Sequence, residues 1–119
     1  MLRIIAPVAD TVARGEADHE ALAALKNVGR ALAVVLLRRR ADVPGGYAGK
    51  LMVARLADHC VERLFVDHAD ATVKAISRRC SRPQRLTDHR VSVLVELRRC
   101  ISEQIEKDMQ AYCGDGKME

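Results

Sequence analysis

Residues 19–40 constrain the fold more than any other part of the chain, because their apolar side chains recur at steps of three and four. On an α-helix, one face would carry Leu22, Leu25, Val28, Leu32, Val35 and Leu36. Asp18 is a suitable N-cap, and Pro44-Gly45-Gly46 predicts a turn beyond the helix. The second half is apolar on nearly every side, which is typical of a buried helix. Its apolar run is far shorter than the roughly 20 residues that a membrane span needs.

A second amphipathic stretch begins at about Tyr47, and no Gly or Pro interrupts it between Lys50 and Ser81. Two neighbouring apolar stripes run along it: Met52, Leu56, Cys60 and Leu64 form one, and Val53, Ala57, Val61 and Phe65 form the other. The stretch predicts either one helix about 50 Å long or a break at residues 66–70, where an aspartate would cap a new helix. An unbroken helix would overhang a compact monomer. We therefore expect either a kinked third helix or a homodimer that covers the overhang.

Helices are also predicted at the two ends of the chain. Residues 2–14 have apolar residues at helical spacing and form a short first helix. The last helix begins at Thr87 as N-cap and ends at Gly114, which leaves residues 114–119 frayed. Its apolar face consists of Val91, Leu94, Leu97, Ile101, Ile105 and Met109. The sequence thus predicts one all-α domain over residues 1–119, a helical bundle of four helices, or five if the third is broken.

The N-terminal residues lack the long apolar segment of a secretory signal, so we expect a cytoplasmic protein. In that compartment the four cysteines are reduced thiols. Cys60, Cys80 and Cys100 lie on or beside apolar stripes, which predicts buried small hydrophobic residues. Cys113 is expected to be exposed.

No arrangement of residues predicts catalysis, a metal site or a cofactor. The dense groups of acids and histidines surround His59 and His68, on the helix faces that point away from the apolar stripes. A di-iron bundle needs Glu-x-x-His on each of two helices, and this chain lacks that pattern. The glycines at positions 45, 46 and 49 do not have the spacing of a phosphate-binding loop. We therefore predict a non-enzymatic protein.

A basic stretch at residues 74–99 suggests a nucleic-acid-binding alternative. It holds eight basic and two acidic residues, a net charge of +6 in a chain whose total is +4. The residues predicted to contact phosphates are Lys74, Arg78, Arg79, Arg82 and Arg85. A transcription-regulatory or other accessory protein for DNA or RNA would use them in this way. The other interpretation of the same residues is a solvated arginine face.

Two short stretches resemble known families. Arg63-Leu64-Phe65-Val66 followed by Ala71-Thr72-Val73-Lys74 is similar to the turn and recognition helix of a LuxR-type helix-turn-helix. Residues 83–91, with Pro83, Leu86-Thr87, His89 and Val91, resemble the final connection of accessory variability proteins of diversity-generating retroelements, which are basic helical bundles. Each resemblance covers fewer than 20 residues, so no functional residue is carried over from either family.

The leading hypothesis is a small regulator or adaptor that acts through a helical protein–protein interaction surface, as a homodimer. Its anchors are expected among apolar residues left over after each helix has buried one stripe: Val34, Leu37, Phe65 and Val95. The expected partner is another protein or a second copy of this chain, with DNA or RNA as the alternative and no membrane.

Overall fold

The structure is a computed structural model that describes the backbone of residues 18–79 and 86–118 and the side chains of residues 18–78 and 91–111. Its elements are α1 (His19–Arg38), α2 (Gly46–Glu62), a π-helical turn (Arg63–Asp67), α3 (Ala69–Arg79) and α4 (Leu86–Met118). The described residues contain no strand, so the predicted all-α class is confirmed. The predicted helix at residues 2–14 and the connection at residues 81–85 lie outside the described residues.

Helix α1 begins and ends close to the predicted positions. Asp18 is the N-cap, and its Oδ1 accepts a hydrogen bond from the backbone N–H of Ala21 at 2.7 Å. At the other end, the N–H groups of Arg39 and Arg40 bond to carbonyls three residues earlier, at 3.3 and 3.1 Å. This tighter last turn ends the helix two residues before Arg40, the predicted end.

The core lies between α1, α2 and α4, with α3 packed on α4 and on the π-helical turn. The largest side chains that are almost completely buried are Leu25, Leu37, Ile76, Leu97 and Ile101. Both predicted stripes of α2 contact this core, since Val53, Ala57, Val61 and Phe65 are buried and Met52 and Leu56 pack against it. The two-stripe prediction for this helix is therefore confirmed.

The buried face of α1 includes Leu25 and Val28, as predicted, but is rotated from the rest of the predicted face. Buried residues recur at every fourth position: Ala21, Leu25, Gly29, Ala33 and Leu37. Val35, assigned to the core from sequence, is 46% exposed, so α1 is not buried on all sides within the described structure. Gly29 explains the rotation, because a Cβ there would lie 3.0 Å from Cε2 of Phe65 and 3.2 Å from Cδ1 of Ile101. Small residues let the neighbouring elements approach α1 closely on this face.

The third predicted helix is broken within residues 66–70, which was one of the two predicted alternatives. The N–H of His68 bonds to the carbonyl of Arg63 at 3.0 Å, five residues back, and His68 itself leaves helical geometry at φ −125° and ψ 34°. The hydroxyl of Thr72 donates to the carbonyl of Leu64 at 2.8 Å and so satisfies a buried acceptor within the turn. The chain can therefore change direction here without Gly or Pro.

Helix α4 confirms the predicted last helix, but its start, its end and one of its buried residues differ from the prediction. It begins at Leu86, so Thr87 lies inside the helix, and it continues through Gly114 to Met118. One glycine in a helix costs about 1 kcal/mol relative to alanine and does not by itself end it. Val91 is 52% exposed, while Val93 is buried in its place. Within the described ranges, no helix is both long and apolar enough to span a membrane.

Candidate functional site

A groove of about 210 Å³ lies between α1 and α4, and each helix carries exposed valines on the face that lines it. The groove is lined by Leu32, Val35, Leu36, Arg39 and Arg98. Val91 and Val95 are 52% and 49% exposed and share one face of α4 with Arg98, by their spacing of four and three residues. We call Leu32, Val35, Leu36, Val91 and Val95 the valine surface.

Two exposed arginines accompany the valine surface. Arg39 and Arg98 line its groove, and neither forms an ion pair within the part of the chain that the structure describes. The neighbouring Arg40 differs, because it bonds to Asp42 at 2.9 Å and also to Glu106. The hydrogen bond from Arg40 holds the pKa of Asp42 below its ordinary value. Arg40 is thus already paired, whereas the two groove arginines remain available to a partner.

The predicted interface residues are divided between surface and core. Val95 is exposed on the valine surface, and Val34 is partly buried against the core. The expectation that Leu37 and Phe65 are left over at the surface is wrong, since they are 0% and 2% exposed. The ring of Phe65 fills the space above Gly29, and Leu37 continues the buried four-residue repeat of α1.

Sequence reasoning missed Val35 and Val91, because both were assigned to buried faces. The signal that could have found Val35 is the repeat of Ala21, Gly29 and Ala33 on the adjacent face. Small residues at a four-residue spacing indicate a face of close helix packing as well as large apolar residues do. The same reasoning gives no comparable signal for Val91.

The structure describes the side chains of two of the five predicted nucleic-acid-binding residues. Lys74 and Arg78 are exposed and lie one turn apart on α3. Arg78 makes an additional interaction within the protein. The side chain of Arg79, together with Arg82 and Arg85, lies outside the described residues. The structure therefore brings together two of the five predicted cations.

A second groove, of about 370 Å³, runs between the π-helical turn, α3 and α4. Its polar wall is largely paired internally, because Arg99 bonds to the buried Glu96 and, at 2.5 Å, to Glu103. The hydrogen bond to Glu96 is the main cause of a raised pKa for Arg99, which keeps the guanidinium charged. Lys107 adds one positive charge to this wall, which leaves the groove without a strong preference for either sign.

Within residues 18–78 and 91–111, the buried titratable groups form no reactive centre. Asp108 accepts a hydrogen bond from Gln104 at 2.8 Å and lies 3.8 Å from Nε2 of His59; its Oδ2 has no partner among the described residues. Burial raises the pKa of the Cys60 thiol to about 12, with a smaller contribution from the charge of Asp108, and burial also raises the pKa of Cys100. These thiols stay protonated near neutral pH and are poor nucleophiles.

The comparisons and the search for metal ligands give no further assignment. Over the described residues, no group of three or more His, Cys, Asp or Glu side chains is arranged to hold a metal ion. No family model matches the chain, and neither a curated protein nor a solved structure shows significant similarity to it. Only the residues of this chain therefore indicate its function.

Proposed function

We propose that the protein is a small, non-enzymatic regulator or adaptor of the cytoplasm that binds another protein through the valine surface. The observation that supports this proposal is the groove between α1 and α4, which the exposed Val35 lines. Two further half-exposed valines, Val91 and Val95, share the face of α4 whose Arg98 lines the same groove. Contiguous exposed apolar surfaces on soluble domains commonly mark interaction sites. Fully burying one valine contributes about 1.5–3 kcal/mol, so covering three half-exposed valines would contribute roughly 2–4 kcal/mol to binding.

The shape of the surface favours a helical partner. Leu32 and Leu36 line the groove half-buried, one turn apart, and the exposed Val35 lines it beside them. A groove between two helices accepts apolar side chains that a third helix presents at three- and four-residue spacing. Such a helix would extend the packing that α1 and α4 already make with each other.

Site-specific photo-crosslinking tests this proposal. A photoreactive phenylalanine replaces Val95, or as a control Val66, which is 53% exposed on the π-helical turn. In cells that naturally contain the protein, we expect a discrete adduct from position 95 and none from position 66. The additional substitution Val35→Glu should abolish the adduct. Equal adducts from both positions, or none from position 95, would contradict the proposal.

The same experiment examines the homodimer. An adduct with twice the mass of the chain reports a second copy, and any other mass reports a different protein. The break after α2 divides the long helix whose predicted overhang motivated the dimer. We propose that self-association, like other binding, uses the valine surface.

Nucleic-acid binding is the second candidate, supported by the exposed cations Lys74 and Arg78 one turn apart on α3. The test is fluorescence anisotropy of labelled duplex DNA and RNA at low and physiological salt. Contacts to phosphates predict that log K falls linearly with log salt, with a slope of about 0.9 per phosphate on DNA. The variant Lys74→Glu–Arg78→Glu should lose this binding, while Lys50→Glu on α2 should retain it. Absence of binding at low salt would exclude the candidate.

A further inference from the structure

We infer that the partner of the valine surface is an amphipathic helix that carries acidic residues beside its apolar stripe. This inference rests on the proposed function and specifies the chemistry of the partner. It follows from the arginines that share the groove with the apolar residues.

The charge of the groove has one sign. Arg39 and Arg98 line it, and no described carboxylate pairs with either of them. The nearest acid along α4, Glu96, is buried and bonded to Arg99, so it does not neutralise Arg98. A partner that carries carboxylates would supply the missing pairs, and arginine forms planar two-bond contacts with carboxylates.

The positions of the arginines define where those acids lie. Arg39 follows Val35 by one turn of α1, and Arg98 follows Val95 by one turn of α4. Each helix thus presents an apolar residue next to a cation. A helix whose apolar stripe covers the valines would place its flanking residues opposite Arg39 and Arg98, where Asp or Glu is favoured.

Other occupants fit this surface less well. A second copy docked symmetrically would bring the arginines of both copies together. A nucleic acid would satisfy the arginines but would leave the valines in water. An anionic membrane surface would contact the exposed valines and the arginines but would not fill the groove that the half-buried Leu32 and Leu36 line.

Two designed helical peptides test the inference. Both carry the same leucine stripe, and the residues that flank the stripe are all Glu in one peptide and all Lys in the other. Fluorescence anisotropy measures their binding to the full-length protein. At about 50 mM salt we expect the Glu peptide to bind at least about tenfold more tightly, with a smaller ratio at high salt. Arg39→Glu–Arg98→Glu should reverse the preference. The control Lys50→Glu, which also reverses an exposed charge, should not.

The possible outcomes distinguish an acidic helix from the other candidate partners of the valine surface. Equal binding of the two peptides that Val35→Glu–Val95→Glu abolishes would overturn the acidic partner and leave the proposed function standing. Failure of both peptides to bind would overturn the inference, even with a crosslink from position 95. Arginine-dependent binding to phosphatidylserine vesicles, without binding to the Glu peptide, would assign the surface to membranes instead. Absence of the crosslink would remove the proposed function itself.

Discussion

Gly29 sets how closely the π-helical turn approaches α1. A Cβ at this position would be 3.0 Å from the ring of Phe65 and 3.2 Å from the terminal methyl of Ile101, and both side chains are buried. The larger Gly29→Val substitution would overpack this contact, and we expect it to lower the free energy of unfolding by about 1–3 kcal/mol.

Urea unfolding followed by circular dichroism measures the effect of Gly29→Val. The matched control is Ala31→Val, which places the same β-branched side chain at an exposed position of α1. The control is expected to cost a few tenths of a kcal/mol through helix propensity. Equal losses of stability in the two variants would contradict the close packing at Gly29.

Cys60 makes stability depend on pH in the alkaline range. Burial raises the pKa of its thiol from an ordinary value of 9.0 to about 12. Between these values the folded state keeps a proton that the unfolded chain has lost. Stability from this site is therefore complete below about pH 9 and decreases as the pH rises toward 12, by at most about 1.4 kcal/mol per pH unit.

The comparison of wild-type protein with Cys60→Ala isolates this titration. The substitution leaves a cavity whose cost does not depend on pH, so the two unfolding free energies differ by a constant near neutral pH. We expect the advantage of the wild-type protein to shrink by roughly 1–2 kcal/mol between pH 8 and pH 10.5. Parallel pH curves for the two proteins would show that the Cys60 thiol titrates normally.

At the level of elements, Arg99 stabilises the buried carboxylate of Glu96 within α4. Glu96 is 6% exposed, and Arg99 bonds to it and to the exposed Glu103. Arg99→Met would leave the carboxylate of Glu96 without its cation, and we expect a loss of about 1–3 kcal/mol. Glu103→Gln removes only an exposed partner and should cost less than about 0.5 kcal/mol.

Urea unfolding at pH 7 compares these variants. The double substitution Glu96→Met–Arg99→Met replaces the pair by apolar side chains and should recover most of the stability that Arg99→Met loses. If Arg99→Met were no more destabilising than Glu103→Gln, the burial of Glu96 would not depend on Arg99.

The sequence was sufficient to predict where helices form, but not which face of each helix is buried. Periodicity predicted α1, α2 and α4, because their large apolar residues recur at helical spacing. It assigned Val35 to the core because it gave little weight to the small Ala21 and Gly29 that permit the closest contacts of α1. It also assigned Val91 to the core, and no comparable signal marks that residue. The break after α2 depends on five-residue backbone hydrogen bonds, for which the side chains offer no direct signal.

At the scale of the whole molecule, the candidate site depends on helix order. Val95 was predicted as an interface residue from α4 alone. The packing of α1 beside α4 joins Val35 and Arg39 in one groove with Arg98, which lies one turn after Val95, and no local pattern specifies this packing. The same packing removed Leu37 and Phe65 from the predicted surface. For a site formed by helices that are distant in sequence, the sequence thus predicts individual residues only. The net charge of the site becomes known once the packing of the helices is known.

That charge leads to a prediction for self-association. A symmetric dimer through the valine surface would bring Arg39 and Arg98 of each copy close to those of the other, where like charges repel. Salt screens this repulsion, since the Debye length falls from about 10 Å at 0.1 M to about 3 Å at 1 M. We therefore expect the dimer fraction, measured by sedimentation equilibrium, to rise with salt, whereas binding of the Glu peptide falls.

Variants separate the apolar and electrostatic contributions to the dimer. Arg39→Gln–Arg98→Gln should strengthen self-association at low salt and abolish its salt dependence, because the repelling charges are gone. Val35→Glu–Val95→Glu should leave a monomer at every salt concentration, because a charge in the groove prevents apolar contact. A dimer that Val35→Glu–Val95→Glu did not dissociate would place self-association on a different face and leave the valine surface to a different partner.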